Sequence, residues 1–170
     1  KLNNSFSESK YSPLKGKEIL LLEDDTFLSK RLVAQLERAE AEVTSCTCIE
    51  EAKEVLKSLS FDFALMDLNL PDGESLELLR DQAIPSNTLV ILMTAKGGIQ
   101  SAVEAMRLGA TDYLSKPFDV EEIPLLFLKS EKQRKNQRLV QHSLEKRRQK
   151  TANLYFAGCF ADDLVQLSKV

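Results

Sequence analysis

The sequence predicts an α/β fold: a doubly wound sheet of five parallel strands with helices on both faces. Two observations lead to this fold class. Short apolar runs alternate five times with amphipathic segments of helical periodicity. In addition, Phe61 and residues 63–66 form a short apolar run, bounded downstream by Pro71, Asp72 and Gly73, which suits a strand buried on both faces. Each connection is long enough for a right-handed crossover, so the strands can form one sheet.

The individual elements follow from the apolar pattern in chain order. The first strand is predicted at residues 17–22, KEILLL, and is followed by Glu23, Asp24 and Asp25. Thr26 is a residue type that caps helices, and the segment after it places apolar side chains on one face. The later strands are predicted at residues 42–47, 61–66, 88–93 and 112–115, and the later helices at residues 49–59, 74–80, 99–108 and from 119 onward.

Composition divides the chain into four parts. Residues 1–14 have no periodic pattern and are predicted to be a flexible leader, whereas residues 15–130 form the α/β domain. Residues 129–150 hold nine Lys or Arg against two Glu, a net +7, which predicts a basic helical linker at residues 131–150. Residues 151–170 are interpreted either as a tail or as the start of a truncated output domain.

The basic segment admits two interpretations. A helix of this charge attracts phosphate groups and could bind nucleic acid. It has no interleaved aromatic residues and no recognition module, however, so a solvated linker is favoured and direct binding to nucleic acid is not expected. Its apolar residues, Leu139, Val140 and Leu144, are too few to predict a coiled coil.

Composition also argues against several classes of protein. No apolar run approaches the ~18 residues of a membrane-spanning helix, and the polar N-terminal residues do not resemble a secretory signal. The three cysteines and the single histidine lack the spacing of a zinc site, so we interpret the cysteines as small buried or semi-buried residues. We therefore expect a cytoplasmic protein without a membrane partner.

Polar side chains follow four of the five predicted strands: Asp24 with Asp25, then Asp67, Thr94 and Lys116. Parallel strands would bring them to one sheet edge, where α/β proteins bind ligands. Carboxylates this close repel one another, and Mg²⁺ would relieve the repulsion while leaving a position for a phosphoryl oxygen. Asp67 could then accept a phosphoryl group, with Lys116 and Thr94 binding it. Taken singly, each residue also fits a structural role such as capping.

The segments LLLEDD, FALMDLNLPDG, VILMTA and GATDYLSKPF carry these residues. In this order they resemble the receiver domain of bacterial two-component response regulators, over about residues 15–130. The resemblance implies the flavodoxin-like receiver fold and phosphorylation of Asp67 by a sensor histidine kinase. It also implies a Mg²⁺ ion held by the carboxylates of Asp24, Asp25 and Asp67 and by the main-chain carbonyl of Asn69.

The resemblance implies roles for the remaining site residues as well. Thr94 and Lys116 would bind the phosphoryl group, and the bond from Lys116 to Pro117 would be a cis peptide. Tyr113 would swing inward from the surface as Thr94 moves toward the phosphate. Because this movement would alter the face formed by the fourth helix, the fifth strand and the fifth helix, a phosphorylation-dependent homodimer is expected. The alternative is a monomer whose switch only releases an intramolecular contact.

Within this family, the segments LNLPDGESLELL and AVEAMRLGATDYLSKPF and the basic helix are similar to the nitrogen-regulator class of transcriptional activators. In that class a receiver precedes an AAA+ ATPase and a DNA-binding helix pair. The chain has no GxxxxGK[ST] loop and no helix-turn-helix, so both domains would be missing from it. We expect a signalling module that controls an output such as transcription, with only self-catalysed phosphotransfer and dephosphorylation rather than enzymatic turnover.

Two other functions would use overlapping features. A haloacid-dehalogenase-like phosphatase also combines Asp, Mg²⁺ and Lys on a parallel sheet, but its nucleophile lies in a DxDx[TV] run after the first strand. The run Asp24-Asp25-Thr26 does not fit that pattern. Turnover of a phosphomonoester with Mg²⁺ would favour the phosphatase, whereas a scaffold domain would not bind Mg²⁺.

Overall fold

A computed structural model of the chain describes residues 12–95 and 99–167; residues 1–11 of the predicted leader lie outside the described residues. The predicted fold class is confirmed: five parallel strands form one sheet. They are β1 (Glu18–Leu22), β2 (Glu42–Cys46), β3 (Phe63–Asp67), β6 (Leu89–Thr94) and β7 (Asp112–Ser115), and their order across the sheet is β2-β1-β3-β6-β7. The helices are α1 (Thr26–Arg38), α2 (Ile49–Leu56), α3 (Leu76–Arg80), α4 (Ile99–Arg107) and α5 (Ile123–Leu167).

Alternation along the strands produces two apolar layers, one on each face of the sheet. Leu20 and Leu22 pack on the side of α2, α3 and α4, whereas Ile19 and Leu21 pack on the side of α1 and α5. The three central strands β1, β3 and β6 are buried on both faces, which explains their continuous apolar runs.

The register of the strands aligns their carboxyl ends. Leu22 of β1 lies opposite Met66 of β3, and Asp67 lies opposite Met93 of β6. The residues that follow these strands therefore meet at a single edge of the sheet, as the sequence predicted for a parallel fold.

The ordered domain includes a residue that the sequence assigned to the flexible leader. Leu14 is fully buried in the layer between the sheet and α1, and its amide donates to the Ala39 carbonyl at 3.2 Å. The amide of Gly16, at φ 68°, donates to Glu40 O at 3.0 Å. Residues 12–17 thus lie against the C-terminal end of α1.

A short hairpin that the sequence did not predict follows β3. Its strands, β4 (Asn69–Leu70) and β5 (Gly73–Glu74), pair antiparallel, with Asn69 opposite Glu74 and Leu70 opposite Gly73. Because Gly73 and Glu74 belong to the hairpin, α3 begins at Leu76 rather than at the predicted residue 74.

Helix α5 follows a 3₁₀ turn at Val120–Glu122 and continues through the basic segment to Leu167, where the sequence suggested a separate tail or domain. The contacts divide the chain into two compact units, residues 1–130 and 131–170. In the second unit, the side chains of residues 135–149 are exposed. Among the described helices, none combines the length and the apolar character needed to cross a membrane.

Candidate functional site

Three carboxylates meet at the carboxyl edge of the sheet. Glu23 and Asp24 directly follow β1, and Asp67 is the last residue of the neighbouring strand β3. One oxygen from each lies within 4.8 Å of the other two. Hard oxygen ligands at this separation suit Mg²⁺ or another hard divalent cation, so these residues fit the predicted metal.

Glu23 is the most deeply buried of the three carboxylates. Its side chain lies within the protein at 1% exposure, and Oε1 accepts a hydrogen bond from the Asp25 amide at 3.2 Å. Burial raises the pKa of Glu23; the Lys116 ammonium opposes this effect without cancelling it, and the Asp67 carboxylate adds to it.

Lys116 connects two of these carboxylates. Its Nζ lies 2.6 Å from Glu23 Oε2 and 2.6 Å from Asp67 Oδ2. Burial alone would lower the pKa of Lys116, but the hydrogen bonds to Asp67 and Glu23 outweigh burial, and the pKa lies above its usual value. The main chain holds Lys116 in place, because its amide donates to Thr94 O at 2.7 Å. The bond from Lys116 to Pro117 is cis.

Asp25 does not join this group. Its Oδ1 accepts hydrogen bonds from the amides of Phe27 and Leu28, at 2.9 and 3.1 Å, so Asp25 is the N-cap of α1, a role that the sequence assigned to Thr26. Glu23, absent from the ligand set that the resemblance implied, occupies the site instead. No sequence signal separates Glu23 from its two acidic neighbours; the backbone does, because the Glu23 amide donates to Cys46 O at 3.1 Å and extends the β1–β2 ladder by one residue.

Asn69 and Thr94 lie next to Asp67. The Asn69 amide donates to Asp67 Oδ1 at 3.3 Å, which holds the first residue of the hairpin beside the carboxylate. Thr94 ends β6, the strand paired with β3, and is fully buried. Its Oγ1 has no hydrogen-bond partner among the described residues.

The family model for the response regulator receiver domain matches residues 19–127, which include every residue of this edge. The chain belongs to the response regulator receiver family. Receiver domains are the signalling modules of two-component systems, so the predicted class of protein is confirmed.

Relatives of this receiver are known from sequence and from structure. It is 41% identical over 106 residues to the swarming motility regulation protein RssB of Serratia marcescens, covering 62% of this chain and 48% of RssB. The chain thus spans about half the length of such curated relatives.

Two solved structures are similar in fold. One is a response regulator protein from Burkholderia pseudomallei with a phosphorylated aspartic acid, calcium ion and citrate (28% identity, TM-score 0.61, covering 72% of this chain and 74% of that one). The other is the beryllofluoride-activated NtrC4 receiver domain dimer (30% identity, TM-score 0.59, covering 66% of this chain and 93% of that one).

Tyr113 of the receiver has a position that differs from the expectation. The resemblance implied a ring at the surface that moves inward, but the Tyr113 hydroxyl is already buried and lacks a hydrogen-bond partner among the described residues. The ring packs against the apolar layer on the α4 side of the sheet.

Proposed function

We propose that this receiver accepts a phosphoryl group on Asp67 from a sensor histidine kinase and thereby controls an output. The observation that carries the proposal is the contact of Lys116 Nζ with Asp67 Oδ2, at 2.6 Å, inside a group of three carboxylates. A carboxylate can attack a phosphoryl dianion only where nearby positive charge offsets their repulsion. The phosphorylated aspartic acid and calcium ion of the Burkholderia pseudomallei relative support this assignment.

The remaining positive charge would come from Mg²⁺. We propose that the carboxylates of Glu23, Asp24 and Asp67 and the main-chain carbonyl of Asn69 hold the ion, with Glu23 in place of the predicted Asp25. When bound, Mg²⁺ neutralises charge on the carboxylates and on the phosphoryl oxygens.

The protein's own groups act on the two ends of the transfer. An Asp67 oxygen forms the new bond to phosphorus, and the bond between phosphorus and the donor breaks. Lys116 binds the phosphoryl oxygens as a point charge. The buried Thr94 hydroxyl, which has no partner among the described residues, would gain a charged acceptor, a hydrogen bond of about 1.5–3 kcal/mol.

Intact mass after incubation with acetyl phosphate and Mg²⁺ tests the proposal. Wild-type protein should gain one phosphoryl group, and Asp67→Asn should gain none. Asp62→Asn is the matched control, because Asp62 lies just before the same strand and its carboxylate accepts instead from the Glu18 amide. Phosphorylation of Asp67→Asn at the wild-type rate would contradict the assignment. Steady turnover of a phosphomonoester would favour the phosphatase alternative.

We further propose that the receiver belongs to the nitrogen-regulator class, acts in the cytoplasm, and controls transcription through AAA+ and DNA-binding domains outside this chain. The similarity to the NtrC4 receiver and the partial coverage of the curated relatives support this proposal. The class would be tested on the full-length protein, as phosphorylation-dependent ATPase activity.

Phosphorylation would also change self-association through the face formed by α4, β7 and α5. This face presents exposed apolar side chains, Val103 and Met106 of α4 and Leu125 of α5, and the NtrC4 receiver forms a dimer when activated. Sedimentation with and without beryllofluoride and Mg²⁺ should show an increase in mass. An unchanged mass from micromolar to hundreds of micromolar protein would exclude the homodimer.

A further inference from the structure

Helix α2 begins without a cap from its own N-cap residue. Cys48 occupies that position, and the structure, which describes every residue of α2, shows no hydrogen bond from the Cys48 side chain to the helix. The first amides of a helix have no partner within the helix and need an acceptor from elsewhere. Asp72 supplies it: Oδ1 accepts from the Ile49 amide and Oδ2 from the Glu50 amide, both at 3.1 Å.

The carboxylate of Asp72 is well matched to this position. Desolvation would raise the pKa of Asp72, but the hydrogen bonds from the Ile49 and Glu50 amides outweigh it, and the pKa lies below its usual value. A negative charge at the N-terminus of a helix is further stabilised by the helix dipole. Asp72 is therefore ionised at neutral pH and can bind both amides at once.

Asp72 lies at the tip of the β4–β5 hairpin, between Leu70 and Gly73. The hairpin tip also packs closely on α2: a Cβ added to Gly73, at φ 145°, would lie 3.3 Å from Ile49 Cδ1. A second contact therefore brings the same tip against the same turn of the helix. The hairpin is held at this end by α2 and at the other end by β3.

The hairpin carries Asn69, which lies opposite Glu74 in β5. Asn69 is also the residue whose amide contacts Asp67 Oδ1 and whose carbonyl we assign to the cation. The closing end of the hairpin is likewise fixed, because the Ser75 amide donates to Leu68 O at 2.9 Å. A change at Asp72 can thus reach Asn69 through a short, continuously hydrogen-bonded segment.

We propose that Asp72 is a positioning residue for the phosphorylation site, because its cap on α2 fixes the hairpin and so places the Asn69 carbonyl. This inference rests on the proposed function, in which that carbonyl binds Mg²⁺. Loss of the cap should weaken Mg²⁺ binding without removing any of the carboxylates. Outer residues that orient metal ligands typically change metal affinity by about 10–100-fold when they are replaced.

The test is a Mg²⁺ titration of the receiver followed by NMR, with the Leu68 and Asn69 amides as reporters. Asp72→Ala should weaken Mg²⁺ binding by about 10-fold. Asp72→Asn, which keeps one acceptor oxygen, should fall between Asp72→Ala and wild type. Phosphorylation by acetyl phosphate should recover at saturating Mg²⁺ in both variants, since the phosphoacceptor and Lys116 are unchanged.

Lys53→Ala is the matched control. Lys53 also lies on α2, and its Nζ is 2.6 Å from Glu77 Oε1. This variant removes an ion pair between α2 and α3 and the weaker attraction of Lys53 for Asp72, but it leaves both amides that donate to Asp72 in place. Its Mg²⁺ affinity should remain within about two-fold of wild type, which separates positioning from a general loss of stability.

The outcomes distinguish the two proposals. If wild-type protein binds no Mg²⁺, the proposed function fails first. If wild type binds Mg²⁺ and the Asp72 variants bind it equally well, only the positioning role is overturned. Should Asp72→Ala fail to fold, Asp72→Asn alone decides the matter, because wild-type affinity in that variant contradicts the proposal.

Discussion

The rings of Phe63 and Phe127 pack against each other with their centroids 4.5 Å apart, joining the central strand β3 to α5. Both side chains are fully buried in the layer beneath α1 and α5. Phe127, together with Ile123, thus packs the first turns of α5 into the core, whereas Leu125 of the same helix is 66% exposed. The two positions form a natural comparison.

Phe127→Ala should lower the free energy of unfolding by about 3–5 kcal/mol, because it leaves a cavity against Phe63. Leu125→Ala, on the exposed side of α5, should change it by less than about 0.5 kcal/mol. Urea denaturation of the two variants measures both effects. If Phe127→Ala lowered the free energy of unfolding as little as Leu125→Ala is expected to, the packing of Phe63 on Phe127 would not stabilise the domain.

Asp24 and Asp25 should respond differently to Mg²⁺. Asp24→Ala removes a member of the carboxylate group, so Mg²⁺ should no longer raise the melting temperature. Asp25→Ala should keep the Mg²⁺-dependent rise but lose about 0.5–2 kcal/mol of stability, because the N-cap of α1 is removed. Thermal melts with and without Mg²⁺ separate the two roles. If instead only Asp25→Ala abolished the Mg²⁺-dependent rise in melting temperature, Asp25 would be identified as the metal ligand.

Tyr113→Phe should stabilise the receiver. The variant removes a buried hydroxyl that has no partner among the described residues and whose desolvation costs about 1–3 kcal/mol, while it keeps the ring in the apolar layer. Tyr113→Ala should be destabilising instead, since it removes the ring as well. Chemical denaturation provides the measurement, and a loss of stability in Tyr113→Phe would contradict the buried position of the hydroxyl.

Cys46 should resist alkylation in the folded protein. Burial, with smaller contributions from Glu51 and Cys48, raises the pKa of the Cys46 thiol to about 11, so the reactive thiolate is scarce near neutral pH. Cys48 is only partly buried and should react first with iodoacetamide. Peptide mapping before and after denaturation tests the order. Comparable labelling of both cysteines in native protein would refute it.

Leu14→Ala should destabilise the domain by about 2–5 kcal/mol, because Leu14 is fully buried between the sheet and α1. Lys15→Ala provides the control, since it removes only an exposed ion pair with Glu40 at 3.7 Å and should cost less than about 1 kcal/mol. Urea denaturation measures both values. An unchanged free energy of unfolding in Leu14→Ala would contradict the burial of Leu14 and support its assignment to the flexible leader.

The fold could be predicted from the sequence more completely than the details of the site. The three central strands are apolar on both faces, so their runs identify them and their ends without any tertiary information. The β4–β5 hairpin escaped prediction because each strand has two residues, too few for alternation to be recognised. Leu14 was not predicted to be a core residue because a single apolar residue shows no periodic pattern.

The choice among Glu23, Asp24 and Asp25 depends on where β1 stops. Three consecutive acidic residues have the same chemistry, and only the backbone decides which of them lie in the site and which caps α1. The ladder continues to Glu23 and the helix starts at Thr26, which assigns the cap to Asp25. The orientation of the Tyr113 side chain could not be predicted from the sequence either, because a tyrosine fits both a surface and a buried position.

The strand order leaves one side of β2 and one side of β7 without a partner strand in the part of the chain that the structure describes. Open edges of this kind can recruit strands from other molecules and start aggregation. Both edge strands are short, and they carry the polar residues Glu42, Thr44 and Ser45 in β2 and Asp112 and Ser115 in β7. Concentrated protein should therefore remain free of β-rich aggregates, and apolar replacements along these edges should reduce that resistance.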